Sequence, residues 1–231
     1  MTWLMIFAFV LGLGTAVPQN SPERTTKAYP NFQLEVIVNG RPLAEYYARG
    51  RTYIEALQGA EYELRVHNDS PDRVAVALSV DGLNTIDARH TSAWNASKWV
   101  VEPYQTITIS GWQMSSERAR RFYFTNERDS YGAKLGQTAN LGVISAVFFR
   151  ERSRPVPITP PSPVTRDKME APQSARRSDD EKAATGIGRN VRNDVSWVDM
   201  DLDSRSVGEL TIRYEYRRRE DSRGFCPEPK Y

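Results

Sequence analysis

Hydrophobic and polar residues alternate with period two in several short runs between Pro30 and Arg150. Phe32, Leu34, Val36 and Val38 alternate with Gln33, Glu35 and Ile37, which predicts a half-buried strand. Asn39-Gly40 follows, a hairpin signal because both turn residues tolerate positive φ. Thr52-Tyr53-Ile54 predicts a short strand, and Tyr62, Leu64 and Val66 mark another. The cluster Asn68-Asp69-Ser70-Pro71-Asp72 is built of turn formers. Val74 to Val80 is more continuously apolar and rich in β-branched residues, the pattern of a strand covered on both faces. Asp81-Gly82 closes it, and the polar stretch Asp87 to Lys98 carries Trp94, with Trp99 at its edge. Ile107 and Ile109 share one face of the next strand, and Phe122 and Phe124 one face of a later one. Ser115 to Arg121 is expected to form a short helical turn capped by a serine. Leu141 to Phe149 is the last strongly apolar strand of this region. Short strands separated by turns, without amphipathic helices, predict an all-β fold: an antiparallel β-sandwich or jelly roll spanning residues 30–150.

The pattern breaks after Arg150. Six prolines fall between Pro155 and Pro172 among charges of both signs, so residues 151–185 are expected to be a disordered linker. Order returns at Gly186. Val191, Val195, Trp197, Val198, Met200 and Leu202 read as one strand, and Leu210, Ile212, Tyr214 and Tyr216 as the next. With Ser204 to Gly208 as the turn, residues 186–217 are expected to form a C-terminal β-hairpin. Two strands cannot build a core, so it must dock on the main domain. Residues 218–231 read as a tail.

Composition adjusts this picture at the ends. Only 39% of the 231 residues are hydrophobic, in keeping with segments outside the core. Trp3 to Leu13 is apolar or small throughout, with small residues at Gly12, Gly14 and Ala16. That start predicts a signal peptide over residues 1–16, cleaved after Ala16, although no Lys or Arg precedes the apolar run. The run is too short for a stable bilayer span, so no membrane anchor is expected after cleavage. Residues 17–29 form a polar leader. The expected location is extracytoplasmic, periplasmic or secreted. A net charge of +2 provides no general attraction to nucleic acid, and none is expected as a partner. Cys226 is the only cysteine, which excludes an internal disulfide and a cysteine-based metal site.

Candidate chemistry is sparse. Asp81, Asp87 and His90 are the one acid–histidine grouping that invites a metal or acid–base reading, against which Asp-Gly turn chemistry is the simpler account. Asp199, Asp201 and Asp203 share the spacing of a calcium loop, but Ser204 and Leu210 stand where glycine and glutamate are needed. Trp94, Trp99, Tyr104, Trp112 and Tyr131 cluster in or near loops. They are candidates for a ligand surface that stacks on sugar rings, or for a seal at one end of a sandwich. Asn68-Asp69-Ser70 and Asn95-Ala96-Ser97 satisfy the glycosylation sequon. No nucleophile elbow is present: Ser79-Val80-Asp81 lacks its glycines. No cofactor is expected.

The segments containing SVDGLN, ISGW and LGVISAVFF, with ARRFYFT and ATGIGRNVRNDV, resemble a family of uncharacterised bacterial proteins. The likeness covers residues 34–217 apart from the linker. It implies a bacterial source and a C-terminal segment that belongs to the main domain, and it transfers no functional residue. The expected function is an exported, non-enzymatic binding or envelope-associated module with an unknown protein or glycan partner. Two alternatives are a carbohydrate-binding or carbohydrate-processing protein using the aromatic loop, and a metal-assisted hydrolase around Asp87 and His90.

Overall fold

In the computed structural model, residues 31–152 and 182–217 are described. The expected signal peptide, leader, tail and all but the ends of the expected linker lie outside the described residues. Among the described residues are fourteen strands and one helical turn, beginning with β1 (Phe32–Val38), β2 (Arg41–Pro42), β3 (Glu45–Ala48), β4 (Arg51–Glu55), β5 (Glu61–Asn68), β6 (Val74–Val80) and β7 (Leu83–Asn84). They continue with β8 (Trp99–Val101), β9 (Thr106–Ile109), β10 (Gly111–Gln113), β11 (Arg118–Asn126), α1 (Tyr131–Lys134), β12 (Val143–Glu151), β13 (Ala183–Arg192) and β14 (Leu202–Glu215).

Two seven-stranded sheets pack face to face. The first runs β10-β11-β5-β1-β2, with β13 on β11 and β9 on β5. The second runs β3-β4-β14-β12-β6-β7, with β8 on β6. Pairing is antiparallel except between β14 and β4, which run parallel. The all-β sandwich read from the alternation is thus the architecture of the chain. Asn39 and Gly40 take φ of 50° and 77°, and the hairpin they close pairs Val38 with Arg41.

Alternation decides what enters the core. Leu34, Val36, Leu64, Val66, Phe122 and Phe124 face inward from the first sheet. Val76, Leu78, Val80, Ile144, Phe148 and Ile212 meet them from the second. Phe32 lies flat against Phe148, ring centroids 4.2 Å apart, so the stack crosses from one sheet to the other. A buried aromatic of this size contributes on the order of 3 kcal/mol. The opposite face of the first sheet is polar: Glu35 pairs with Arg65, Glu63 with Arg121 and Glu61 with Arg189.

The strand β9 and its continuation β10 change partners at one residue. Thr106–Ile109 pairs with β5, whereas Gly111–Gln113 pairs with β11. The crossover brings the Gly111 backbone so close to β11 that a Cβ would sit 1.9 Å from the Arg120 carbonyl oxygen. Only glycine fits there. Trp112 follows directly into the core, 1% exposed, its indole N–H donating to the Gly186 carbonyl of β13 at 3.1 Å. The ISGW motif is therefore a strand crossover and a core anchor.

The structure departs from the sequence pattern in several places. Residues 115–117 form the bend between β10 and β11, and Arg118 already belongs to β11, so no helix forms over Ser115–Arg121. The helical turn is instead α1, capped by Ser130, whose Oγ accepts from the Ala133 N–H. The expected linker ends early, because Ala183, Ala184 and Thr185 are buried in β13. The C-terminal segment docks on the main domain, but not as a hairpin: β13 adds to β11 in the first sheet, and β14 inserts between β12 and β4 in the second. The supposed turn Ser204–Gly208 runs within β14. Its glycine has another purpose, since a Cβ on Gly208 would lie 2.6 Å from the Phe32 ring. Residues 193–201 carry the chain between the sheets without strand structure, and Trp197 there is 71% exposed rather than part of a strand.

Candidate functional site

The SVDGLN segment places its aspartate inside the sandwich. Asp81 and Gly82 form the turn between β6 and β7, with φ of 53° and 76°. Asp81 is 3% exposed. Its Oδ1 accepts from the Gly142 N–H at 2.8 Å and from the Tyr214 hydroxyl at 2.5 Å, and its Oδ2 accepts from the Thr185 N–H at 2.7 Å. Thr185 Oγ1 lies 2.6 Å from the Tyr214 hydroxyl and 2.7 Å from that of Tyr62. Tyr62 belongs to β5 and Thr185 to β13 in the first sheet, while Tyr214 belongs to β14 in the second. A polar chain Tyr62–Thr185–Tyr214–Asp81 thus crosses the core.

The direction of that chain follows from proton count. Each hydroxyl has one proton to donate. Tyr214 gives its proton to Asp81, so Thr185 must donate to Tyr214 and Tyr62 to Thr185. All three dipoles point toward the carboxylate. Burial pushes Asp81 from its ordinary 3.8 up to about 6, although Tyr214, Thr185 and Gly142 each favour the charged form. Burial, and then the Asp81 charge, hold Tyr62 and Tyr214 well above the usual phenol value, so both stay neutral.

Asp81 is separated in role from the other two members of its sequence grouping. Asp87 is exposed and organises its loop, accepting from the Arg89 N–H at 3.1 Å and from Ser97 Oγ at 2.9 Å. His90 is exposed, its Nδ1 2.9 Å from the Gly82 carbonyl. No group of three or more His, Cys, Asp or Glu side chains is placed to hold a metal ion among the described residues. Of the calcium-like acids, Asp203 and Asp201 pair with Arg152, at 3.3 and 3.8 Å.

The five candidate aromatics do not share a surface. Trp112 is core, which leaves it no face for a ligand. Tyr131 packs on Trp112 with centroids 5.0 Å apart, sealing the sandwich there. Trp99 is half-buried against the core and donates its indole N–H to Thr85 Oγ1 at 2.9 Å. Tyr104 is 60% exposed in the turn before β9, with φ of 56°. Trp94 alone is both open and supported. It is 44% exposed, edge-on to Phe149 at 5.4 Å, and the Lys98 ammonium lies 5.6 Å from its ring and 5.1 Å from the Phe149 ring. Lys98 also donates to the carbonyls of Trp94 and Ala96, and burial lowers its pKa. Phe149 pairs with Ala75 on the outward face of the second sheet, so the loop between Asn84 and Trp99 folds over that face.

Two further features escape a reading of periodicity. Tyr62 and Tyr214 look like ordinary inward positions, and Thr185 falls in a stretch assigned to linker; none shows its hydroxyl partner in sequence. Asn68 is similar. It is fully buried, its amide donates to the Asp72, Val101 and Glu102 carbonyls, and its Oδ1 accepts from Ser70. The first sequon is therefore a buried structural hub, whereas Asn95 of the second is exposed. No helix among the described residues is long and apolar enough to cross a membrane. No family model matches the chain, and neither a curated protein nor a solved structure matches it.

Proposed function

We propose that the chain is an exported, non-enzymatic β-sandwich that works as a binding or envelope-associated structural module. The apolar start of the sequence supports export. The observation that supports binding is Trp94: the loop holds its ring half-open on the outer face of the second sheet, braced by Phe149 and Lys98. A braced aromatic loses little side-chain entropy when it meets a partner. Asp81 speaks for a structural use of the SVDGLN motif, since three donors within the core occupy its oxygens. This removes the most buried acid from the hydrolase alternative around Asp87 and His90.

A glycan partner is the second reading, and the same tryptophan favours it. An open indole face stacks on a sugar ring, and exposed Asn95 and Ser92 beside it carry hydrogen-bonding groups. The test has two parts. Fractionation of expressing cells, with mass determination of the mature chain, should find it outside the cytoplasm and beginning at Val17; an intact chain in the cytoplasm contradicts export. Glycan-array binding that disappears in Trp94→Ala supports the sugar reading, and binding unchanged by that substitution contradicts it.

A further inference from the structure

We propose that Asp81 and the hydroxyl chain of Tyr214, Thr185 and Tyr62 form a proton-operated latch, which holds the start of β13 against both sheets more tightly when Asp81 is protonated. The geometry allows the carboxyl group to be neutralised in place. With Asp81 ionised, every hydroxyl donates toward it. With a proton on Oδ1, Asp81 donates to Tyr214, Tyr214 to Thr185 and Thr185 to Tyr62, over the same 2.5, 2.6 and 2.7 Å contacts. Oδ2 still accepts from the Thr185 N–H and Oδ1 from the Gly142 N–H. The inversion ends at Tyr62, whose proton turns away from Thr185 and loses that acceptor, a cost that the relief of a buried unpaired charge must exceed. No heavy atom has to move, so the two protonation states share one fold.

Around Asp81, strand β5 presents Tyr62, β13 presents Thr185, and β14 presents Tyr214. The approach to β12 presents the Gly142 amide, and the Val143 carbonyl accepts from the Asp81 N–H. His90 holds the carbonyl of the neighbouring Gly82. None of these places a cation on the carboxylate, so burial of an unpaired charge opposes ionisation.

The sign follows from linkage. Opening β13 returns Asp81 to water and to its ordinary 3.8, whereas the closed form holds the proton up to about 6. The closed state binds the proton more tightly, so acid favours closure and rising pH favours opening until Asp81 is fully ionised. The opening equilibrium should change on the order of a hundredfold between pH 4 and pH 7.

Carbon-13 NMR of the Asp81 carboxyl in the full chain, with exchange of the Thr185 amide, tests the latch. The expected midpoint is near 6 in the wild type, higher in Tyr214→Phe, which removes a donor to the charged form, and unchanged in His90→Gln. After correction for intrinsic exchange, Thr185 opening should rise with pH in the wild type and stay level in Asp81→Asn. If Asp81→Asn fails to fold, the wild-type and Tyr214→Phe titrations decide. A carboxyl that titrates below pH 4, or a midpoint that Tyr214→Phe leaves in place, overturns the latch.

Discussion

Replacing Gly111 by alanine should be among the most damaging single-methyl additions in the chain. The new Cβ would meet the Arg120 carbonyl oxygen at 1.9 Å, its carbon at 2.4 Å and the Arg121 Cα at 2.9 Å, where ordinary contact begins near 3.4 Å. All three atoms are backbone, so no side-chain rotation relieves the overlap. The strands must part by more than 1 Å (about the difference between overlap and contact). That displacement strains the pairing of Gly111–Gln113 with Ala119–Arg121 and pulls on Trp112, which packs against Phe122 at 5.1 Å. Loosening a few ladder bonds at about 1 kcal/mol each, together with part of a buried tryptophan's packing, totals about 3–5 kcal/mol. A domain of this size is typically stable by about 5–15 kcal/mol. Urea unfolding followed by tryptophan fluorescence measures the loss. A Gly111→Ala chain within about 0.5 kcal/mol of the wild type would refute the steric account of the crossover.

Trp112→Phe should cost about 2–4 kcal/mol in the same assay, because it removes the bond to the Gly186 carbonyl and leaves a cavity; a neutral result would mean that β13 does not depend on this anchor. Trp94→Ala should change stability by less than about 1.5 kcal/mol, since the ring is 44% exposed and touches mainly Phe149 and Lys98; a larger loss would mark it as structural. Asp81 should make the wild type gain stability relative to Asp81→Asn as pH falls from 7 to 4, by about 2 kcal/mol, most of the value of a rise from 3.8 to about 6. The direction follows because the folded state holds the proton more firmly; a difference between the two chains that does not vary with pH would contradict it.

The sandwich was legible because alternation reports burial directly. Phe32 to Val38, Tyr62 to Val66 and the apolar run Val74 to Val80 are strands for the reasons their patterns suggest. Partner choice was not legible, because period two says which face is buried and not which neighbour pairs. Ser204 to Gly208 carries turn chemistry, yet Gly208 is small to admit the Phe32 ring, a contact across the sandwich that no local pattern encodes. Thr185 sat beside a proline-rich stretch whose composition masked three buried residues. The site was half legible. Trp94 stood out as an aromatic in a polar loop, but its brace, Phe149, is far away in sequence. The role of Asp81 depends on Tyr62, Thr185 and Tyr214, which converge only once both sheets are assembled. Residues of the SVDGLN and ISGW motifs serve the turn, crossover and core geometry of the sandwich.

The central claim is that the C-terminal segment supplies one strand to each sheet and so lets a buried aspartate tie them together. Disulfide cross-linking tests it most directly, in a chain with Cys226→Ser. The pairs Arg118→Cys with Arg192→Cys and Ser145→Cys with Thr211→Cys face each other across β11–β13 and β12–β14. Both pairs should oxidise rapidly in the folded protein, and Leu202→Cys with Leu210→Cys should not, because both positions lie along the single strand β14. Rapid closure of the Leu202–Leu210 pair, with neither of the others forming, would restore the hairpin and contradict the account.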